Sequence, residues 1–203
     1  MKKYAVLHEP GDIVTLAGTR FVVLDVERRG SLPDSLFLLA LESVGASEFG
    51  SSNNYAESDL KKAVDKWLED MGKRGLDNAK LIPREIDLTT LDGSGCYGKL
   101  SVKAAPLTLD EAREYADIIP NAERWCWLAT GWSGPSKSDG DLALYVNSNG
   151  DWCNNLCSYS YGIRPALKIP SDLLLDSADK PDLSEVPTDT LLEEIRRRVV
   201  DKA

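Results

Sequence analysis

Between residues 11 and 72 the chain changes its hydrophobic period once, and that change confines it to folds mixing strand with helix. In "GDIVTLAGTRFVVLDVE" (11 to 27), β-branched and apolar residues flank Gly18, and Val22, Leu24 and Val26 alternate with more exposed positions. Period two around a central glycine predicts two strands joined by a turn. "SLFLLALES" (35 to 43) predicts a third, buried strand. In "YAESDLKKAVDKWLEDMG" the spacing turns helical: Leu60, Val64, Trp67, Leu68 and Met71 form one stripe, Ser58 is the N-cap and Gly72 ends the run.

The Gly- and Asp-rich stretch "LDGSGCYGKLSVKAA" (91 to 105) reads as a loop with a short strand. A second helix follows in "PLTLDEAREYADIIP". There Thr108 and Glu111 form a capping box, Leu107 and Ala112 staple the first turn, and Pro120 lies beyond the end.

At 203 residues and 42% hydrophobic, the chain is long enough to bury a sizeable core in one main domain. Acidic residues number 33 against 24 basic, a net charge of −9, so the average field repels phosphates and anionic headgroups. Nucleic acid is thereby disfavoured as a partner. No apolar run reaches the roughly 20 residues that span a bilayer, and residues 1 to 10 lack a signal-peptide pattern. The expectation is a cytoplasmic or virion protein without membrane insertion.

Catalytic machinery is not evident. The single histidine, His8, sits beside Glu9 and reads as a surface residue; Asp139 and Asp141 lie in an oxygen-rich loop without the spaced ligand series of a calcium site. Cys96, Cys126, Cys153 and Cys157 read as free thiols, and the C-x3-C spacing of the last two, with one histidine in the chain, is poor for structural zinc. No metal, no cofactor and no enzymatic activity are expected. Arg164, in "YGIRPALKIP", reads as a buried anchor paired with a carboxylate, and Pro165 fits an edge strand or bulge.

From Trp125 onward the composition changes. Four of the five tryptophans, Trp125, Trp127, Trp132 and Trp152, fall here among Gly, Ser, Asn and Tyr. Trp125 and Trp127 are assigned to the core. Residues 145 to 161 combine stiff amphipathic aromatics with small hydrogen-bonding residues, the mixture that antibody paratopes use. Two readings stay open on residue chemistry alone: a contact surface, or core aromatics with turn-forming asparagines. In an extended "NNLCSYSYG", Ser158 and Ser160 share one face and Tyr159 and Tyr161 the other.

The ordered set "APLTLDEAREYADI", "WCWLATGWSG", "LALYVNSNGDW" and "YGIRPALKI", with "SSNNYAESDLKKAVDKWLED" before it, resembles a bacterial and phage domain family that carries a W-x-W-L box and ends in G-V/I-R-P-A-L. That family is similar to the C-type lectin fold in its formylglycine-generating-enzyme-like branch. The resemblance implies an α+β lectin-like domain over 1 to 170, two helices flanking a small mixed or antiparallel sheet, with long irregular loops. Some members are variable proteins of diversity-generating retroelements, in which adenine-directed mutagenesis rewrites Asn codons near the end of the fold. Residues such as Asn147, Asn149, Asp151, Cys153, Leu156, Ser158 and Tyr159 are reachable from such codons, leaving Val146, Gly150 and Gly162 as fixed scaffold. The box departs from the family's W-L-R-S at Ala129-Thr130, and Trp152 is not reachable from an AAC codon.

The resemblance and the residue chemistry together imply a partner-recognition protein of a bacterium, phage or prophage, located in the cytoplasm or a virion. Its hypervariable face would comprise Trp132, Tyr145, Asn147, Asn149, Asp151, Trp152, Asn154, Asn155, Tyr159 and Tyr161. The ligand would be a protein or glycan on another cell or particle. Two rivals are kept: an assembly protein using the Trp-rich face, and a formylglycine-generating-type enzyme using Cys153 and Cys157 as a redox or copper pair. Past Pro170 the Asp-, Ser- and Pro-rich composition predicts a linker over 171 to 187. An amphipathic helix is predicted over 188 to 203, its Leu191, Leu192, Ile195 and Val199 stripe packing on its own domain or pairing copies of the chain.

Overall fold

A computed structural model describes residues 2–4, 8–29 and 32–177. β1 (Lys2–Tyr4) is followed by the predicted hairpin of β2 (Ile13–Leu16) and β3 (Thr19–Arg29). Its two-residue loop is Ala17-Gly18, both with positive φ (48° and 76°), as a type I′ turn requires to match the twist of the flanking strands. β4 (Leu32–Ala40) pairs antiparallel with β3. Alternate residues of β3 and β4 feed two separate cores: Phe21, Val23, Leu36 and Leu38 face one, and Val22, Leu24, Phe37 and Leu39 face the other. A bulge between Val23 and Asp25 resets the parity, so that Val26, opposite Leu36, returns to the first core. A sheet buried on both faces explains why "FLLAL" is continuously apolar.

β5 (Ala46–Glu48) leads through a 3-10 turn (Tyr55–Glu57) to α1 (Asp59–Lys73). Ser58 caps α1 as expected, accepting from the Lys61 N–H at 2.9 Å while its hydroxyl donates to the Tyr55 carbonyl. Leu60, Val64 and Met71 are buried, each such side chain contributing about 1.5–3 kcal/mol. Gly72 does not stop the helix. It lies inside the last turn, where an added Cβ would sit 3.1 Å from the Asn78 amide nitrogen. The stop is Gly75, at φ 102°, in a Schellman arrangement: the Leu76 N–H donates to the Met71 carbonyl and the Gly75 N–H to the Gly72 carbonyl.

β6 (Arg84–Asp87) and β7 (Lys99–Val102) form a two-stranded ribbon, followed by β8 (Ala104–Ala105) and α2 (Leu109–Glu114). The Thr108–Glu111 capping box is present. Glu111 also receives a hydrogen bond from buried Arg84, which reaches the carbonyls of Ala105 and Pro106 and lies 5.1 Å from the centre of the Phe37 ring. α2 ends at Glu114, well before Pro120, because Tyr115 leaves helical geometry and packs edge-on against Phe37.

The remaining strands are β9 (Cys126–Gly131), β10 (Leu142–Val146), β11 (Trp152–Leu156), β12 (Ser160–Gly162), β13 (Ala166–Pro170) and β14 (Leu174–Ser177). Instead of one small sheet the described residues form three: seven antiparallel strands ordered β1-β14-β2-β3-β4-β13-β8, five ordered β11-β10-β9-β12-β5 with a parallel β9–β12 pairing, and the β6–β7 ribbon. Strands dominate among the described residues, and with α1 and α2 the class is α+β. Pro165 precedes β13, which lies inside the larger sheet between β4 and β8, so it removes no ladder hydrogen bond.

The predicted linker from 171 begins too early to be a boundary. Residues Leu174–Ser177 pair with β1 and β2, carrying the sheet past Pro170. The rest of the linker and the terminal helix lie outside the described residues. Among the described residues, no helix is long and apolar enough to cross a membrane.

Candidate functional site

The aromatic and amide stretch forms the outer edge of the five-stranded sheet. In the β10–β11 hairpin Tyr145 lies opposite Cys153, Val146 opposite Trp152, Leu144 opposite Asn154 and Ala143 opposite Asn155. Because successive strand side chains point to opposite faces, this register divides the predicted site in two. Tyr145, Cys153 and Asn155 share one face with Trp127 and Tyr161. Trp152, Asn154 and Val146 share the other, toward α2, where Trp132 packs half-buried against the second core.

The first face carries a row of stacked rings. Trp127 is buried, its indole N–H donating to the Ser47 carbonyl at 3.0 Å. Tyr161 packs on it at 4.6 Å between ring centres and lies 4.7 Å from Tyr145. Trp125 stacks nearly parallel on Tyr145 (5.3 Å, 18°) and remains 45% exposed. Tyr159, at 51%, extends the row at 6.3 Å from Tyr161. The rings are locked from the side, since the Asn155 amide donates to the Tyr161 hydroxyl at 2.6 Å and its carbonyl accepts from the Leu156 N–H.

Several assignments change. Tyr145, at 7% exposure, is the support beneath Trp125 rather than a contact residue, because β9 and β12 enclose it. Trp125 is exposed, not core: it precedes β9, one step beyond the buried row that Trp127 occupies. Its shared parity with Trp127 was a signal for the common face, although not for which ring ends in water. Residues 156 to 159 form a turn closed by the Tyr159 N–H on the Leu156 carbonyl, so the serine and tyrosine faces do not alternate as in an extended strand.

Asn147 acts as a turn residue. Its carbonyl accepts from the N–H groups of Asn149 and Asp151, and its amide donates to the Asp151 carboxylate at 3.0 Å. Asn149 and Asp151 are exposed at the tip. Gly150 is required there by its φ of 90°.

Buried Arg164, expected to pair with a carboxylate, instead donates through Nε to the Ala40 carbonyl at 2.8 Å, and its Nη2 has no partner among the described residues. His8 is buried rather than on the surface, its Nδ1 3.2 Å from the Asp12 carboxylate. All four cysteines are free thiols, with Cys96 exposed, Cys153 half-buried and Cys126 and Cys157 buried. Burial pushes the Cys126 thiol up to about 11 and the Cys157 thiol up to about 12, so both stay protonated at neutral pH. Burial, with Cys153 and Tyr161 adjacent, likewise raises the Tyr145 phenol to about 12. Among the described residues no three or more His, Cys, Asp or Glu side chains group as metal ligands.

The site therefore offers a rigid, neutral aromatic surface with polar groups at its ends. No family model, no curated protein and no solved structure matches the chain.

Proposed function

We propose that this is a partner-recognition protein whose binding surface is the exposed rim of the ring row on the five-stranded sheet, anchored by Trp125 and Tyr159. Asn149 and Asp151 supply polar contacts from the hairpin tip. The observation that carries this reading is where apolar surface meets water. Of the five large hydrophobic side chains exposed among the described residues, Trp125 and Tyr159 both join the Tyr145–Tyr161 ring row, whereas Trp152 and Leu156 alternate to the other side of β11. Single exposed hydrophobics are ordinary, whereas two exposed rings continuous with the Tyr145–Tyr161 stack present one apolar patch, the kind that serves interaction. Stiff aromatic rings lose little entropy when a partner covers them.

In this reading the domain is a C-type lectin-like fold of the formylglycine-generating-enzyme-like branch, diversified as a retroelement variable protein. Support comes from the α+β architecture and the resemblance of the WCWLATGWSG and YGIRPALKI segments. Loop substitutions there contribute little to the core, which suits a surface that is rewritten. The partner is a protein or glycan displayed on another cell or particle.

The test uses labelled protein on an immobilised glycan array and on a panel of intact bacterial cells. Trp125→Ala combined with Tyr159→Ala is expected to abolish any signal while leaving the melting temperature within a few degrees, by the usual tolerance of exposed sites. Binding that survives the double substitution would reject this face. Diversification has its own test: the nucleotide sequence beside the gene must contain a near-repeat differing at adenines, next to a reverse transcriptase.

A further inference from the structure

On the opposite side of the same sheet lies a cavity of about 90 Å³ between α2, the segment after it, and β9 and β10. Leu107, Leu128, Ile119 and Val146 form its walls, and exposed Asn121 and Trp152 stand at its mouth. Its buried end is lined by Cys126 and by Arg164, which is only 7% exposed. Arg164 spends its Nε on the Ala40 carbonyl and leaves Nη2 without a partner. Among the described residues no carboxylate lies within 4 Å of it; Glu42, whose charge reaches it, pairs instead with Arg20 at 3.5 Å.

A guanidinium does not deprotonate in proteins, so its charge persists in this apolar setting. An uncompensated buried charge is strongly unfavourable, and an anion entering the cavity would relieve it. The size of the space limits the ligand. An apolar cavity of about 150 Å³ takes up one benzene ring, so this smaller space encloses a carboxylate and part of a compact apolar body, the rest emerging at the mouth beside Trp152. One guanidinium with apolar walls suits a singly charged planar carboxylate on an apolar body, since a dianion would need a second cation.

We propose that the cavity floored by Arg164 and walled by Leu107, Leu128, Ile119 and Val146 is a binding site for small apolar monocarboxylates, of the size of an aromatic or branched-chain acid. The carboxylate meets the terminal nitrogens of Arg164 and the apolar body fills the space toward Trp152. This site is independent of the partner-binding face.

The experiment is isothermal calorimetry on the full chain at constant ionic strength, with benzoate and phenylacetate as probes, benzamide as the neutral isostere and inorganic phosphate as an anion without an apolar body. Saturable binding of at least one acid is expected, with benzamide and phosphate at least tenfold weaker. Arg164→Met should remove binding, but that residue also holds the Ala40 carbonyl and its loss threatens folding. The deciding variant is therefore Ala116→Phe, which closes the cavity from its exposed side. It is expected to lose acid binding at an unchanged melting temperature. No saturable binding of either acid, a benzamide or phosphate affinity within tenfold of the acids, or full binding by Ala116→Phe would each overturn the proposal.

Discussion

Gly162 shows how much one residue can fix. An added Cβ there would stand 2.8 Å from both the Cys126 sulfur and the Ser43 hydroxyl, and 3.0 Å from the Trp125 carbonyl, to which the Gly162 N–H donates at 2.7 Å. Backbone and buried sulfur surround the position, so nothing can yield cheaply. Gly162→Ala is expected to cost about 1–3 kcal/mol, the usual range for overpacking, read as a lower urea midpoint at unchanged slope. The adjoining Arg164 obeys a different rule, since its charge is kept where solvent is excluded. Sequence reading found both residues in one motif and took Gly162 as scaffold and Arg164 as buried. It did not supply the crowding around the first or the unfilled donor of the second, because both depend on Ser43, Ala40 and Cys126, which are brought close by long-range pairing.

At the level of the element, β9 and the residue before it carry two tryptophans of one parity and opposite function. Trp127 packs edge-on against Phe49 at 5.5 Å and beneath Tyr161, whereas Trp125 covers Tyr145 and faces water. Trp127→Ala is expected to cost about 3–5 kcal/mol, and Trp125→Ala under about 1 kcal/mol, in equilibrium denaturation of the two variants side by side. Elements whose signal is local were legible: the Ala17-Gly18 turn, the Ser58 cap and the Thr108–Glu111 box all follow from neighbouring residues. Ends set by tertiary contact were not. α1 passes through Gly72 because Asn78 packs against it, and α2 stops at Tyr115 because Phe37 takes the ring. The division of residues 145 to 161 between two faces was equally hidden, as it depends on the β10–β11 register and the turn at 156 to 159.

For the whole molecule, two cores on either side of one sheet hide acidic protons from water. Cys126 is raised to about 11, and Cys157 and Tyr145 to about 12, in each case chiefly by burial. Tyr115 is also raised to about 12 by burial, with Asp25 nearby. In the unfolded chain these thiols and phenols ionise near 9 and 10. Between those values and the raised ones the native state holds more protons than the unfolded state, so stability falls as pH rises. Below pH 9 these groups contribute no pH dependence. Thermal melts should therefore be flat for them up to pH 9 and decline from pH 9 to 12; an unchanged melting temperature across that alkaline window would contradict the burial described.

The alternation along β11 has an evolutionary corollary. Neighbouring codons in that strand answer to different masters: Cys153 and Asn155 shape the ring-bearing surface, while Trp152 and Asn154 belong to the side that holds the cavity. A burst of substitutions across the strand would thus alter the proposed partner surface and the proposed acid site together, and lineages adapting at one should show constraint at every second position.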